Sequence, residues 1–270
     1  MAEAFRDTGK SGKGVSRQHR ALAIDRVPAI FRRNSAIDYN TNITQLSNLA
    51  PLLRRRCSGL LNGTQRPINI RGGYNLSFTA ASLRPELARV VAEAYLAVGD
   101  WEIAKERVLN SNALQCRTVA GAERQERELR RRLMWLTANQ IALLAKATAE
   151  DRAALAWLAA LKHIRFAFEF ASEVLRDKLA AHDPVLRHSD YENYVDIKAV
   201  THPEITELSS ASKYKVRQVL LRMLREAGLL SKGSALGIIE RPVLSPAVAN
   251  VIREEDSRWL AGFLVPDTKS

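Results

Sequence analysis

Between Asp151 and about Ala181 the apolar residues leave almost no polar face. Leu155, Trp157, Leu158, Leu161, Ile164, Phe166, Phe168, Phe170, Val174, Leu175 and Leu179 cover most of a helix's circumference when wound at ~100° per residue. Such a helix cannot lie on a surface, because every side of it must be covered by other elements. The sequence therefore predicts a central helical spine, capped by Asp151 and ended by Asp183-Pro184, over residues 148–200. Ile164, Phe166, Phe168 and Phe170 also alternate with the period of a strand, but their flanks favour helix. The longest uninterrupted apolar run, Ala153 to Leu161, is nine residues, well short of the ~20 that span a bilayer.

The elements before the spine read as short amphipathic helices. Arg84-Pro85-Glu86 opens one that carries Leu87, Val90, Val91, Ala94, Tyr95 and Val98 inward until Gly99 stops it. Asp100 caps a second from Trp101 to Leu109. A third runs from about Thr118 to Leu136 with Ala122, Leu129, Leu133 and Leu136 facing inward, and Ala138 to Ala147 forms a fourth. The third helix places Arg124, Arg127 and Arg131 on one line, extended by Arg117. Glu123/Arg127, Glu126/Arg130 and Glu128/Arg132 also form i,i+4 pairs, the pattern of an ordinary solvated helix. Residues 74–147 are read as a helix-turn-helix-like unit.

After the spine, Ser189 or Asp190 caps a helix through Lys198, and Thr201-His202-Pro203-Glu204 starts a short one. Ser209 to Leu230 is then a helix capped by serine and stopped at Ala227-Gly228. Val216, Val219, Leu220, Met223, Leu224 and Ala227 form its apolar face. The opposite face carries Ala211, Tyr214, Lys215, Gln218, Arg222 and Arg225, with no acidic residue from Ser209 to Arg225. Leu229-Leu230, a polar tip at Ser231 to Ser234, Ile238-Ile239 and Val243-Leu244 read as a β-hairpin. Helix, glycine stop and hairpin give the layout of a winged helix-turn-helix over 201–264, in which the basic helix enters the major groove. Ser245-Pro246 to about Leu264 completes it as a terminal helix packed back on the winged unit. The expected fold is thus mainly α: a helical core between an N-terminal helix-turn-helix-like unit and a C-terminal winged one. Lys213, Lys215, Arg217 and Lys232 are placed to flank the backbone, and Tyr214, Gln218 and Arg222 to face base edges.

The formal charge is +12, but its distribution matters more than its size. Residues 1–73 hold 13 Lys+Arg against 4 Asp+Glu, whereas 74–270 hold 28 against 25. The first 73 residues, punctuated by glycine and by basic clusters such as Arg54-Arg55-Arg56, read as a disordered basic arm able to add sequence-independent attraction to phosphate. The two cysteines, Cys57 and Cys116, suggest neither a disulfide framework nor a zinc site, which suits a reducing cytoplasm. Asp183, Asp196 and Lys198 have the residue types of a metal-dependent nuclease, but in helical or helix-end sequence where that chemistry normally needs adjacent strands. No phosphate-binding loop, nucleophile elbow or dinucleotide fingerprint is present. The expectation is a protein that is not an enzyme, with no cofactor and no metal. His163, inside the spine, reads as a hydrogen-bonded core histidine.

Several stretches carry a resemblance to a known family: Tyr74-Asn-Leu-Ser-Phe-Thr, Ala94 to Trp101, Arg117-Thr118, Phe166 to Lys178, His202-Pro-Glu-Ile, Lys215 to Leu230 and Leu244-Ser-Pro. In their order and spacing, from about Tyr74 to Arg253, the chain resembles the A component of bacteriophage exclusion (BREX) systems. That resemblance implies an all-helical, non-catalytic cytosolic protein that binds double-stranded DNA and serves phage defence beside a methyltransferase, ATPases and other components. It does not locate the DNA contacts. A basic leader is not a feature of the resemblance. Rival expectations are an interaction scaffold whose basic helices dock acidic partner proteins, and an RNA-binding protein.

Overall fold

The computed structural model describes residues 73–233 and 235–266; the basic arm expected over 1–73 lies, apart from Gly73, outside them. Among the described residues, four α-helices precede the spine: α1 (Pro85–Val98), α2 (Trp101–Asn110), α3 (Val119–Leu133) and α4 (Ala138–Lys146). Their starts follow local chemistry. Asp100 accepts hydrogen bonds from the Glu102 and Ile103 amides, Thr118 from Gly121, and Thr137 forms a reciprocal capping box with Gln140.

The spine is two rods, not one. α5 (Ala149–His163) is capped by Thr148, whose side chain accepts from the Asp151 amide; Asp151 itself lies in the first turn. At Ile164 the backbone leaves the helical region, with φ −115° and ψ 85°. The chain resumes as α6 (Arg165–Glu169), a π-helical stretch (Phe170–Leu175) and α7 (Arg176–Ala180). The break lets apolar residues on both rods be covered: Trp157, Leu158, Ile164 and Phe170 are all at most 1% exposed. This run is helical on both sides of Ile164, so the strand alternative fails.

β1 (Val185–Leu186) follows, then α8 (His188–Ala199), α9 (Pro203–Thr206) and α10 (Ser210–Glu226), and then β2 (Leu230–Ser231) and β3 (Gly237–Ile239). The strands form one antiparallel sheet in the order β1-β3-β2, with Val185 opposite Ile238 and Leu230 opposite Ile239. The hairpin expected from sequence is present but shorter, since Val243-Leu244 lies beyond it. β1, which the sequence reading left between elements, supplies the third strand. Gly237 makes the hairpin possible: its φ is +143°, and a Cβ there would sit 2.5 Å from the Ser231 carbonyl oxygen. Gly237→Ala is expected to destabilise the fold by about 1–3 kcal/mol in a urea titration; an unchanged midpoint would show that the hairpin shifts freely.

The C-terminal segment is also interrupted, into α11 (Pro246–Arg253) and a 3-10 turn (Ser257–Phe263). It is held mainly by the central helices, not by the hairpin. The Trp157 indole donates to the Gly262 carbonyl at 2.9 Å. Lys162, 5% exposed, pairs with Glu255 and donates to Gln140 Oε1 at 2.8 Å. Gln140 in turn donates to the Val251 carbonyl and to Glu255, both at 2.9 Å. Burial pushes the Lys162 amine below its ordinary value, against the opposing pull of Glu255. Among the described residues no helix is long and apolar enough to cross a membrane.

Candidate nucleic-acid interface

α10 starts where Ser209 accepts the Ser212 amide at 3.2 Å. Its inner face is the one expected: Val216, Val219, Leu220, Met223, Leu224 and Ala227 are buried. Its outer face leaves Lys213, Tyr214, Lys215, Gln218 and Arg222 exposed, Tyr214 by 58% despite its size. Lys215 Nζ donates to Gln218 Oε1 at 2.9 Å, and Arg222 Nε to Glu226 Oε1 at 3.2 Å. Arg217 is less available than expected. It is half-buried, lies over the Tyr191 and Tyr214 rings, and comes within 3.8 Å of Glu192. Arg225 turns to the hairpin, donating to the Leu236 carbonyl at 2.9 Å, and Lys232 is exposed at the hairpin tip.

α3 separates its charges by depth. Glu126 and Glu128 point inward, where Glu126 pairs with Arg130 at 2.8 Å and Glu128 with Arg132 at 2.7 Å. Burial raises the Glu126 carboxyl above its ordinary value, against the pull of Arg130. Arg117, Arg124, Arg127 and Arg131 remain exposed, and among the described residues none makes an ion pair. Two of the three anticipated i,i+4 pairs form; Glu123/Arg127 does not. The acids that seemed to neutralise this helix in sequence are therefore mostly withdrawn from its surface.

Sequence reasoning missed the residues that fasten these helices. Arg132, 2% exposed, donates to the carbonyls of Phe78 (3.2 Å), Ala81 (2.7 Å) and Ser82 (2.7 Å). Glu226 accepts from Ser82 Oγ at 2.8 Å and from the Leu83 and Arg84 amides at 2.6 and 3.2 Å. The signal for Arg132 was present: it stands three residues after Leu129 and beside Leu133, on the apolar face.

A second cluster gathers pieces far apart in the chain. Tyr74 donates through its hydroxyl to Glu169 and through its amide to Glu204, and its ring lies 3.9 Å from that of His202. Lys198 meets Glu169 at 2.6 Å and Glu173 at 2.9 Å. Burial alone would raise the Glu169 carboxyl, but hydrogen bonds from Lys198, Tyr74 and Arg165 hold it below its ordinary range. A depressed carboxyl contributes stability that is present above its unfolded-state value and is lost as pH falls through the folded-state value. Glu169→Gln is therefore expected to lower stability at neutral pH and to flatten its decline below about pH 4. Denaturant titrations at a series of pH values read this directly, and parallel acid limbs would refute it.

An open cleft of about 780 Å³ beside this cluster is lined by Tyr74, Glu204, Glu207, Ser212 and Lys215 among others. Its two carboxylates disfavour an anion held inside the cleft itself. The nuclease-like residues do not converge: Asp183 is held by Lys178 and Arg187, at 2.7 and 2.6 Å, whereas Lys198 serves Glu169 and Glu173. Among the described residues no group of three or more His, Cys, Asp or Glu is placed to hold a metal ion. His163 departs from expectation: burial lowers its imidazole, and Nδ1 finds no hydrogen-bond partner among the described residues.

These features define a mainly helical protein with a small antiparallel sheet and two outward cationic helix faces. The chain belongs to the BrxA family, whose profile matches residues 72–256. It is similar to the BREX protein BrxA of Bacillus cereus (strain H3081.97), 27% identical over 149 residues that make up 55% of this chain and 74% of that protein. It is also similar to the BREX protein BrxA of Escherichia coli O9:H4 (strain HS), 27% identical over 141 residues, 52% of this chain and 66% of that protein. In fold it is similar to an uncharacterized protein from Magnetospirillum magneticum, with a TM-score of 0.64 at 19% identity, covering 72% of this chain and 98% of that one. The resemblance carried by the sequence motifs is borne out at the level of the family.

Proposed function

We propose that this protein is a non-catalytic, double-stranded-DNA-binding component of a BREX phage-defence system. The observation that carries the reading is the outer face of α10, which has several exposed cations, no acid from Ser210 to Arg225, and a hairpin fastened to its C-terminal end. In this reading the C-terminal unit is a winged helix-turn-helix beginning at β1, earlier than the residue 201 boundary read from sequence. The strand, helix, helix, hairpin order and the β1-β3-β2 sheet support it. Lys213, Lys215 and Lys232 meet phosphate, while Tyr214, Gln218 and Arg222 face base edges; Arg217 supports Tyr214 more than it meets DNA. α1 to α3 form a helix-turn-helix-like unit whose Arg117, Arg124, Arg127 and Arg131 add phosphate contacts. Other BREX components, the methyltransferase among them, are its protein partners.

The test is fluorescence anisotropy of the full chain with a labelled duplex, with single-stranded DNA and structured RNA as competitors. Saturable, salt-sensitive binding that duplex competes best supports the reading. Displacement by RNA alone would favour an RNA-binding protein, and no binding would leave the helix faces as docking surfaces for protein.

A further inference from the structure

Ser82 is bonded to both cationic helices at once: its carbonyl accepts from Arg132 of α3 at 2.7 Å, and its hydroxyl donates to Glu226 of α10 at 2.8 Å. Both attachments lie in the last turn of their helices, and the 3-10 turn Phe78–Ala80 packs against α3 and α10 alike. The joint is dry. Ser82 is 5% exposed, Leu83 1% and Arg132 2%. From that joint the exposed cations begin immediately on each side, with Arg131 adjacent to Arg132 and Arg222 on the same Glu226 carboxylate.

We infer that the Phe78–Arg84 segment is a splint that holds the two cationic faces at a fixed separation, so that they engage one duplex together. The inference rests on the DNA-binding reading above. Arg124 to Arg131 and Lys215 to Arg222 each span about 10 Å along their helices at 1.5 Å per residue. With the Phe78–Arg84 segment lying between the two helices, a shared footprint exceeds the roughly 20 Å of the two faces themselves, or about 6 base pairs at ~3.4 Å each. Because the joint is short and buried, the second face binds as an intramolecular event at high effective concentration.

The experiment uses the full chain and fluorescein-labelled DNA hairpins with stems of about 6, 12 and 18 base pairs, bracketing that footprint. Wild type is compared with Arg124→Ala/Arg127→Ala/Arg131→Ala and with Lys215→Ala/Arg222→Ala; the basic leader is common to all three proteins. Wild-type affinity is expected to rise more than about 10-fold from the shortest to the middle stem, beyond the gain in number of registers, and then to level off. Each variant should lose that jump, keeping less than about 3-fold of it. A constant fold-loss at every length, or binding of two middle-length stems per protein, would overturn the shared-duplex inference while leaving DNA binding intact. Failure of wild type to bind any stem would overturn the DNA reading itself, and the inference with it.

Discussion

Replacing Arg132 by methionine is expected to lower the free energy of unfolding by about 3–5 kcal/mol, because it removes one partner of a buried, hydrogen-bonded charge pair. Methionine keeps most of the volume, so the loss is electrostatic and not a cavity. Glu128 would be left as an unpaired carboxylate at 5% exposure, and the carbonyls of Phe78, Ala81 and Ser82 would lose their shared donor. Arg131→Met, one residue away and exposed, should stay within about 0.5 kcal/mol of wild type. Adding Glu128→Leu to Arg132→Met should recover part of the loss, since a buried pair replaced as a whole by apolar groups costs less than a broken one. Urea titrations of the three variants decide it. An Arg132→Met protein within about 1 kcal/mol of wild type would mean that the guanidinium does not fasten the Phe78–Ser82 segment.

The largest functional effect is expected at α10. The combined Lys215→Ala/Gln218→Ala/Arg222→Ala protein should bind duplex about 10- to 100-fold more weakly, the range for losing a base-edge contact worth ~1–3 kcal/mol together with phosphate contacts. Its fold should survive. Lys215 and Gln218 are exposed and bond chiefly to each other, and the Arg222–Glu226 pair is a surface pair with Arg222 57% exposed, of a kind worth little. Far-ultraviolet circular dichroism and the urea midpoint serve as controls. Unchanged affinity in a folded variant would remove α10 from the interface, and equal loss of stability and binding would make the effect indirect.

Much of the helical layout was legible because it is written locally. Ser209, Thr118, Asp100 and Pro85 mark their helix starts through chemistry that needs only the next three residues. The apolar phase of α10 likewise fixed which side chains face out. What escaped was nonlocal. β1 is two residues long and exists as a strand only because Val185 and Leu186 find Ile238 and Gly237. The Tyr74–Leu83 segment carries no period, yet buries Phe78 and Leu83 to 1% by lying between α3 and α10. The interruption at Ile164 has no breaker residue to announce it, since Leu161 to Phe168 holds neither glycine nor proline. At the candidate site, charge counting along α3 misjudged the surface because depth, not order, decides which charges remain there. Glu126, Glu128 and Arg132 turn inward, and the arginines that stay outside acquire no described acidic partner.

The central claim is that both exposed cationic faces meet DNA phosphate, and counterion release counts such contacts. The measurement is the slope of log affinity against log salt for the full chain and a duplex of about 30 base pairs, at ~0.9 per phosphate neutralised. The account predicts that Arg124→Ala/Arg127→Ala/Arg131→Ala makes the slope shallower by about two to three, and Lys213→Ala/Lys215→Ala by about two. Slopes that stay equal to wild type in both variants would contradict it, placing the phosphate contacts outside α3 and α10.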